Sequence, residues 1–315
     1  MKKTFVILCL TIAAAAILIS FTRPKSVTVR AQPLRVAASI YPLAFLVQGV
    51  AGPDIDVITV TPSGMEPHDF QASPQDILSL RDMDLFFSNG AGVDSWAERL
   101  KVTFADRPVS TVEMADSLRK QGVTIRQAKV SEDGSLPDSL SQDPHFWQDP
   151  VIVQQEIGII ADALSTADNA RAYLYRKNAK ALAAQIDDLD KSYRSGLASC
   201  EIHDVIVSHD AFEYLAARYK INLIPISGVS PEQQPSARRL GELATLAKAK
   251  GIRVIFFETL VNPKLSQTLA EEVGAKAEVL NPIEGLTTED HAAKKDYLVL
   301  MNDNLERLRE AMRCK

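Results

Sequence analysis

Histidine and cysteine are scarce in this 315-residue chain, with five and three copies respectively. The sequence contains no HExxH and no CxxC, so no local pattern defines a metal site. Basic residues do not exceed acidic ones, 35 Lys and Arg against 40 Asp and Glu, which argues against nucleic acid as a partner. Low-complexity segments and short repeats are also missing, and 46% hydrophobic residues argue against disorder. The length fits a globular protein of about two domains.

The amino terminus has the composition of an export signal. Lys2 and Lys3 precede an uncharged apolar run over residues 5–21, and a short polar stretch then ends at Ala31. We expect a signal peptide at residues 1–31. A retained membrane anchor is the alternative, since the run is only slightly shorter than the usual spanning helix of about 20 residues. Leu8 stands before Cys9 where lipidation signals have a small residue, so we expect no lipid there.

Two cysteines, Cys200 and Cys314, remain once residues 1–31 are removed. In an oxidising compartment such a pair more often forms a disulfide than a reactive thiol. The bond would tie the start of the carboxy-terminal half to the last helix. Two buried free thiols are the alternative.

Short apolar runs alternate with longer amphipathic ones along the chain, which predicts an α/β fold with mostly parallel sheets flanked by helices. The predicted strands cover residues 35–40, 55–60, 84–88, 108–113, 204–208, 221–227, 253–258 and 276–280. The predicted helices cover residues 42–51, 74–82, 94–101, 150–165, 211–219, 235–250, 263–273 and 290–313. Residues 122–142 lack an apolar period and are predicted to form a loop.

Residues 167–198 contain no proline, and their apolar residues recur at helical spacing, which predicts one long rigid helix. This helix would join two similar lobes, each with its own sheet. We therefore predict an amino-terminal lobe at residues 35–166 and a carboxy-terminal lobe at 199–315.

Four polar residues occupy places where an open parallel sheet binds ligands, which is beyond the carboxyl ends of its strands. His68 lies in the loop after the second predicted strand, and His209 directly follows the fifth. Glu284 comes just after the last strand, and His145 ends the polar loop of the first lobe. Three neutral imidazoles and one carboxylate complete a four-coordinate zinc site, and such nitrogen-rich ligation favours zinc, copper or nickel.

Several neighbouring residues leave alternatives open. Glu258 also ends a strand and could replace Glu284 as the ligand, while Glu66 is a spare carboxylate. His203 and His291 fail the strand-end test, and we expect both on the surface. Four acids close to the candidates could orient the imidazoles, although helix capping is the favoured interpretation; they are Asp69, Asp143, Asp149 and Asp210.

Six segments resemble the metal-binding receptors of ATP-driven zinc and manganese importers, known as cluster A-I or family 9 solute-binding proteins. They are ASIYPL, GMEPHDFQASPQDI, NGAGVDSW, DPHFWQDP, SHDAFEYLAARY and LNPIEGLT. The resemblance extends over residues 35–313 and implies ligand histidines at His68, His145 and His209. Manganese-preferring members carry a carboxylate at the third position, so His209 implies zinc.

The resemblance also bears on the fourth ligand and on the cysteines. Many members have an aspartate where this chain has Asn281, but zinc receptors with the wording LNPxExLT use the glutamate, here Glu284. Similar members pair cysteines near Cys200 and Cys314. Many zinc members carry a histidine-rich loop before the second ligand, whereas residues 122–142 contain no histidine.

The function implied by the resemblance is that of an extracytoplasmic zinc receptor rather than an enzyme. It would act as a monomer in the periplasm or at the outer face of the cytoplasmic membrane. Its partner would be an ABC-type permease with a cytoplasmic ATPase. The alternatives are a manganese-specific receptor, a surface adhesin with a structural metal, and an exported zinc hydrolase with Glu284 or Glu258 as general base.

Overall fold

Two four-stranded parallel sheets form the framework of the protein. A computed structural model describes residues 32–103, 109–128, 142–231 and 235–315. The predicted signal peptide lies outside the described residues, as does most of the predicted loop at 122–142. Within the described ranges, no helix combines the length and the apolarity that a membrane crossing requires.

The first sheet has the strand order β2-β1-β3-β4 and contains the four strands predicted in the first half. Its strands are Val36–Ala38 (β1), Val57–Thr59 (β2), Leu85–Ser88 (β3) and Ser110–Glu113 (β4). The central strands β1 and β3 are fully buried, as expected for a parallel sheet with covered faces. The helices of this half are Tyr41–Ala51 (α1), Pro74–Ser79 (α2), Glu98–Thr103 (α3) and Met114–Lys120 (α4). Helix α4 was not predicted.

Two longer helices, Pro150–Ala167 (α5) and Ala172–Gly196 (α6), follow the first sheet. Helix α6 has 25 residues and is about 37 Å long at 1.5 Å per residue. It begins later than predicted, because Asp168 has a non-helical backbone and a 3₁₀ turn at Asn169–Arg171 follows. Helix α6 packs against α1, α5 and the carboxy-terminal helix, and so joins the two halves. Its buried side chains include Tyr175, Ala179, Leu182, Ile186, Leu189 and Tyr193.

The second sheet has the order β6-β5-β7-β8, which is the same order as in the first sheet. Its strands are Asp204–Val207 (β5), Asn222–Pro225 (β6), Val254–Phe257 (β7) and Lys276–Val279 (β8). Helices Glu213–Tyr219 (α7), Ala237–Lys250 (α8) and Lys264–Val273 (α9) lie between these strands in sequence. In both sheets the strand order reverses between the two central strands, β1 and β3 in the first sheet and β5 and β7 in the second. The loops there leave a crevice at the carboxyl ends of the strands.

The single final helix predicted at residues 290–313 was wrong. The chain instead forms Thr288–Ala292 (α10) and Tyr297–Met312 (α11). Lys294 adopts a left-handed backbone with φ 54°, which ends the helical path. Asp296 then caps α11 by accepting a hydrogen bond from the Val299 N–H at 2.9 Å.

The predicted disulfide is confirmed: Cys200 is bonded to Cys314, 114 residues later in the sequence. The bond joins the segment before β5 to the end of α11. Cys200 precedes β5 and His209 follows it, so the disulfide lies at the opposite end of β5 from His209.

One continuous hydrophobic core extends through both halves. It includes Val36 and Phe87 of the first sheet, Ile186 of α6, and Val207 and Phe256 of the second sheet. Residues 32–315 accordingly form one compact unit. The lobe boundaries at 166 and 199 therefore stay a prediction, and a wide opening of the lobes would have to expose this shared core.

Candidate metal centre

His209 lies at the carboxyl end of β5, where the strand order of the second sheet reverses between β5 and β7. It follows β5 by two residues and is fully buried, while Glu258 directly follows the neighbouring strand β7. The Nδ1 atom of His209 is 2.6 Å from Glu258 Oε1, and the His209 backbone N–H donates to the same oxygen at 3.2 Å. Glu258 therefore holds the imidazole from behind and leaves Nε2 free to face the crevice.

His145 is held in the same way by a carboxylate two residues earlier. Asp143 Oδ1 lies 2.8 Å from His145 Nδ1 and 3.0 Å from the backbone nitrogen of His145. The ring is fully buried beside Trp147, with 5.2 Å between the ring centroids. For the acids near the histidines, the sequence interpretation favoured helix capping over orientation of the imidazoles. It is correct for Asp149, which accepts from the Val151 N–H at 2.9 Å, but for Asp143 it was wrong.

His68 comes from the loop after β2, and its side chain is only 2% exposed. Its backbone N–H donates to Glu66 Oε1 at 3.2 Å. The Nδ1 atom of His68 is buried but, unlike Nδ1 of the other two rings, it has no hydrogen-bond partner among the described residues. His68 is therefore the least tethered of the three imidazoles.

Glu284 enters the centre from the loop after β8 and is 1% exposed. Side-chain hydrogen bonds hold the backbone at both ends of the preceding turn. Asn304 Oδ1 accepts from the Asn281 N–H at 2.9 Å, and Asn281 Oδ1 accepts from the Ile283 N–H at 2.8 Å. Asn281 thus shapes the loop that presents Glu284 and is not itself one of the four clustered groups.

The side chains of His68, His145, His209 and Glu284 converge on one point, although 216 positions separate the first from the last. The Nε2 atom of His145 is 3.1 Å from that of His68 and 3.5 Å from that of His209. Glu284 Oε1 is 3.0 Å from His145 Nε2 and 3.5 Å from each of the other two. A tetrahedron with Zn–N bonds of 2.0–2.1 Å has edges of about 3.3 Å. Five of the six donor–donor distances are therefore close to the edges of a zinc coordination tetrahedron, and all four donors lie within 4.8 Å of one another.

Charge makes a cation necessary at this point. Since Asp143 and Glu258 accept the Nδ1 protons of His145 and His209, each neutral ring directs the lone pair of Nε2 towards the centre. These lone pairs meet the Glu284 carboxylate at hydrogen-bonding distance, and acceptors that face one another repel unless a proton or metal lies between them. The centre therefore binds either protons or a metal cation.

The pKa values show where protons bind when they occupy the site. For His209, burial lowers the pKa, but the carboxylates of Glu258 and Glu284 raise it well above its ordinary value. For His145, burial likewise lowers the pKa and hydrogen bonds to carboxylates raise it above the ordinary value. Burial lowers the pKa of His68. Burial raises the pKa of Glu284, but the three imidazoles hold it well below its usual range, so this carboxyl stays ionised.

Glu66 is a second carboxyl group beside the centre and is 7% exposed. Burial and the nearby Glu284 carboxylate raise the pKa of Glu66 to about 10, so it is protonated and neutral at pH 7. It is not among the four clustered groups. The other rival, Glu258, contacts the back of His209 instead of the centre.

The remaining histidines lie elsewhere, as predicted: His203 and His291 are both exposed. Four aromatic residues near the candidates are buried in the hydrophobic cores, and one of them, Trp147, also contacts the ring of His145. They are Phe70, Phe146, Trp147 and Phe212. Trp147 also donates from Nε1 to the Pro282 carbonyl at 2.8 Å, a contact that the sequence did not predict.

Removing the charge behind His209 should weaken metal binding without removing a ligand. We expect Glu258→Gln to lower zinc affinity about tenfold to a hundredfold, because the neutral amide polarises the imidazole less. Glu306→Gln is a matched control, since Glu306 forms an exposed ion pair with Arg309 on α11. Competition with a zinc chelator of known affinity measures both variants, and equal affinities would contradict the assigned role of Glu258.

Comparison with known proteins relates this centre to zinc uptake. The family described as "Zinc-uptake complex component A periplasmic" (ZnuA) matches residues 36–311. The chain is 33% identical over 282 residues to the high-affinity zinc uptake system protein ZnuA of Bacillus subtilis, covering 90% of this chain and 88% of that protein. It is 32% identical to the zinc-binding protein AdcA of Streptococcus pyogenes, covering 98% of this chain but only 61% of that longer protein.

Solved structures show the same architecture. The laminin-binding protein Lmb of Streptococcus agalactiae, described as a bifunctional protein with adhesin and metal transporting activity, has a TM-score of 0.77 at 30% identity. That comparison covers 89% of this chain and 99% of the other. Zn(II)-bound AdcA of Streptococcus pneumoniae has a TM-score of 0.75 at 30% identity, covering 89% of this chain and 57% of that one. The matching sequence, the shared fold and the clustered donors together show that the chain belongs to the ZnuA family of periplasmic zinc-uptake components.

Proposed function

We propose that this protein is an extracytoplasmic receptor that binds Zn²⁺ through His68, His145, His209 and Glu284 and delivers it to an ABC-type importer. The observation that carries the proposal is the clustering of the four donor atoms: five of the distances between them are 3.0–3.5 Å, and all lie within 4.8 Å of one another. Two donors come from each half of the chain, so binding also ties the halves together. Zinc is the cargo here, and no bond of a substrate is made or broken.

Zinc is favoured over manganese by the donor set. Three imidazoles and one carboxylate suit a tetrahedral zinc ion, whereas manganese prefers more oxygen ligands and a higher coordination number. The tight packing supports this choice, since the ligand side chains are at most 2% exposed and leave little room for additional water ligands.

Isothermal titration of metal-free protein with Zn²⁺ and Mn²⁺ tests the proposal. One tight zinc site per chain, with manganese at least a hundredfold weaker, is the expected result. Lack of a tight zinc site would overturn the proposal, and tighter manganese binding would reassign the cargo.

The four donors also argue against a zinc hydrolase. A catalytic zinc usually has three protein ligands and an open position for water. Glu284 would supply the fourth ligand here, since its Oε1 lies 3.0 Å from His145 Nε2, and Glu258 contacts Nδ1 of His209. Under this proposal neither carboxylate acts as a general base. X-ray absorption spectroscopy of the zinc-loaded protein would favour hydrolysis if it found a bound water in place of Glu284.

Adhesion is a second candidate function, favoured by the structural likeness to Lmb, which is described as having both activities. A deletion strain distinguishes the two. Loss of growth under zinc limitation supports transport, whereas unchanged zinc uptake with reduced binding to a host matrix protein supports adhesion.

The partner of the receptor would be a membrane permease with a cytoplasmic ATPase. The protein would act as a monomer after export, either in the periplasm or at the outer face of the cytoplasmic membrane. The name of the Bacillus subtilis relative, a zinc uptake system protein, supports a membrane uptake system as the partner. Copurification with the permease from membranes, dependent on bound zinc, would identify the partner.

Acidification should weaken zinc binding. Protons compete with zinc for His145 and His209, whose pKa values lie above the ordinary value, so each must lose a proton before its Nε2 can bind metal. Each displaced proton changes affinity about tenfold per pH unit, and we expect at least a hundredfold loss between pH 7.5 and 5.5. Titrations in buffers of different ionisation enthalpy should show at least one proton released per zinc at pH 7. An affinity that rises on acidification would contradict this mechanism.

A further inference from the structure

The loop that presents Glu284, residues 282–286, is held on both sides by residues of the amino-terminal half. Before Glu284, the Pro282 carbonyl accepts hydrogen bonds from Trp147 Nε1 at 2.8 Å and from Gln148 Nε2. Both donors are at most 1% exposed, and they follow His145 by two and three residues in the sequence. This side of the loop is therefore fixed inside the protein.

The other side of the loop is held at the surface. The Leu286 carbonyl accepts from Ser63 Oγ at 2.7 Å and from the Gly64 N–H at 2.9 Å. Ser63 and Gly64 are exposed, and Met65 is 43% exposed. Gly64 has φ 81°, which a glycine adopts without strain and which directs its N–H to Leu286. We call this pair of hydrogen bonds the latch.

The candidate histidine ligands also differ in how firmly their rings are held. The Nδ1 atoms of His145 and His209 lie 2.8 Å from Asp143 and 2.6 Å from Glu258 respectively. His68, five residues after Ser63, has no such partner for Nδ1 within the described part of the chain. The less tethered imidazole therefore belongs to the segment that forms the latch.

A strained residue separates the fixed side of the loop from Glu284. Ile283 has φ 61°, and a β-branched side chain rarely adopts this left-handed backbone. Ile283 is fully buried, and its N–H donates to Asn281 Oδ1, so surrounding contacts hold the strained conformation. Rotation at this position would move Glu284 and Leu286 while Pro282 remained in place.

We propose that Ser63 is a positioning residue for the metal ligand Glu284, and that opening of the latch is the step by which the metal leaves. The loop turns about Ile283, the Leu286 carbonyl separates from Ser63 and Gly64, and Glu284 withdraws on the side of His68. The shared core of the two halves can stay intact during this motion, because only the loop moves. This inference rests on the proposed zinc-binding function.

Zinc dissociation kinetics test the latch. Zinc-loaded protein is mixed with excess chelator in a stopped-flow instrument. Release is followed by the change in tryptophan fluorescence, because Trp147 lies beside His145. We expect Ser63→Ala to release zinc about three- to tenfold faster, the range that one net hydrogen bond supports. Ser63→Thr keeps the hydroxyl and should restore a rate within twofold of the original protein.

Ser79→Ala is the matched control, because Ser79 Oγ also donates to a backbone carbonyl at 2.7 Å in an exposed position, within α2. The control should release zinc at the original rate, and all variants should unfold at the original temperature when metal-free. A Ser63→Ala rate within twofold of the original, or equal acceleration by Ser79→Ala, would overturn the latch while leaving the zinc site in place. Titration that found no zinc bound to the unmodified protein would instead overturn the proposed function, and the latch with it.

Discussion

Replacing His145 by alanine is expected to lower zinc affinity by two to three orders of magnitude. His145 is central to the site, since its Nε2 lies within 3.5 Å of the donor atoms of His68, His209 and Glu284. Structural zinc sites bind with about 10–16 kcal/mol in total, so one of four ligands contributes about 3 kcal/mol. A factor of ten corresponds to about 1.4 kcal/mol, which gives the expected loss.

The measurement is competition with a chelator of known zinc affinity, at fixed pH. His291→Ala is the control, because His291 is exposed on α10 and belongs to no cluster of metal-binding groups among the described residues. His68→Ala provides a second ligand variant at a less buried segment, in case loss of the His145 ring prevents folding. An affinity within tenfold of the original for both ligand variants would remove the basis of the zinc assignment.

Loss of the disulfide should produce the largest change in stability. Replacing Cys200 and Cys314 together by serine is expected to lower the free energy of unfolding by about 4 kcal/mol, within the usual range of 2–5 kcal/mol. The bond spans 114 residues, and such a long closed loop strongly restricts the unfolded chain. For a protein of this size, we expect the melting temperature to fall by several degrees.

Differential scanning calorimetry of metal-free protein measures this effect. Treating the unmodified protein with a reducing agent should give the same shift, and the double variant should not respond to the reductant. Zinc affinity should stay within a few-fold of the original, because the disulfide lies before β5 and His209 lies after it. Equal stability of the oxidised protein and the double variant would show that the bond contributes little.

Local pattern was sufficient for most secondary structure in this chain. All eight strands predicted from alternating runs occur, and the long amphipathic helix occurs with a later start at Ala172. Errors arose where one or two residues override the pattern. The helical period of the carboxy terminus continues through Lys294, but its left-handed backbone and the cap at Asp296 divide the helix.

The sequence could name His68, His209 and Glu284 because a parallel sheet gathers its strand ends at one edge, so position after a strand predicts position in space. His145 follows a long loop instead, and the family resemblance supported its assignment. The sequence could not decide between the carboxylates, because Glu258 and Glu284 both follow strands and have the same chemistry. Only the packed structure places Glu258 behind His209 and Glu284 at the centre. That choice depends on loop contacts such as those of Pro282 with Trp147 and Gln148, which join residues more than 130 positions apart.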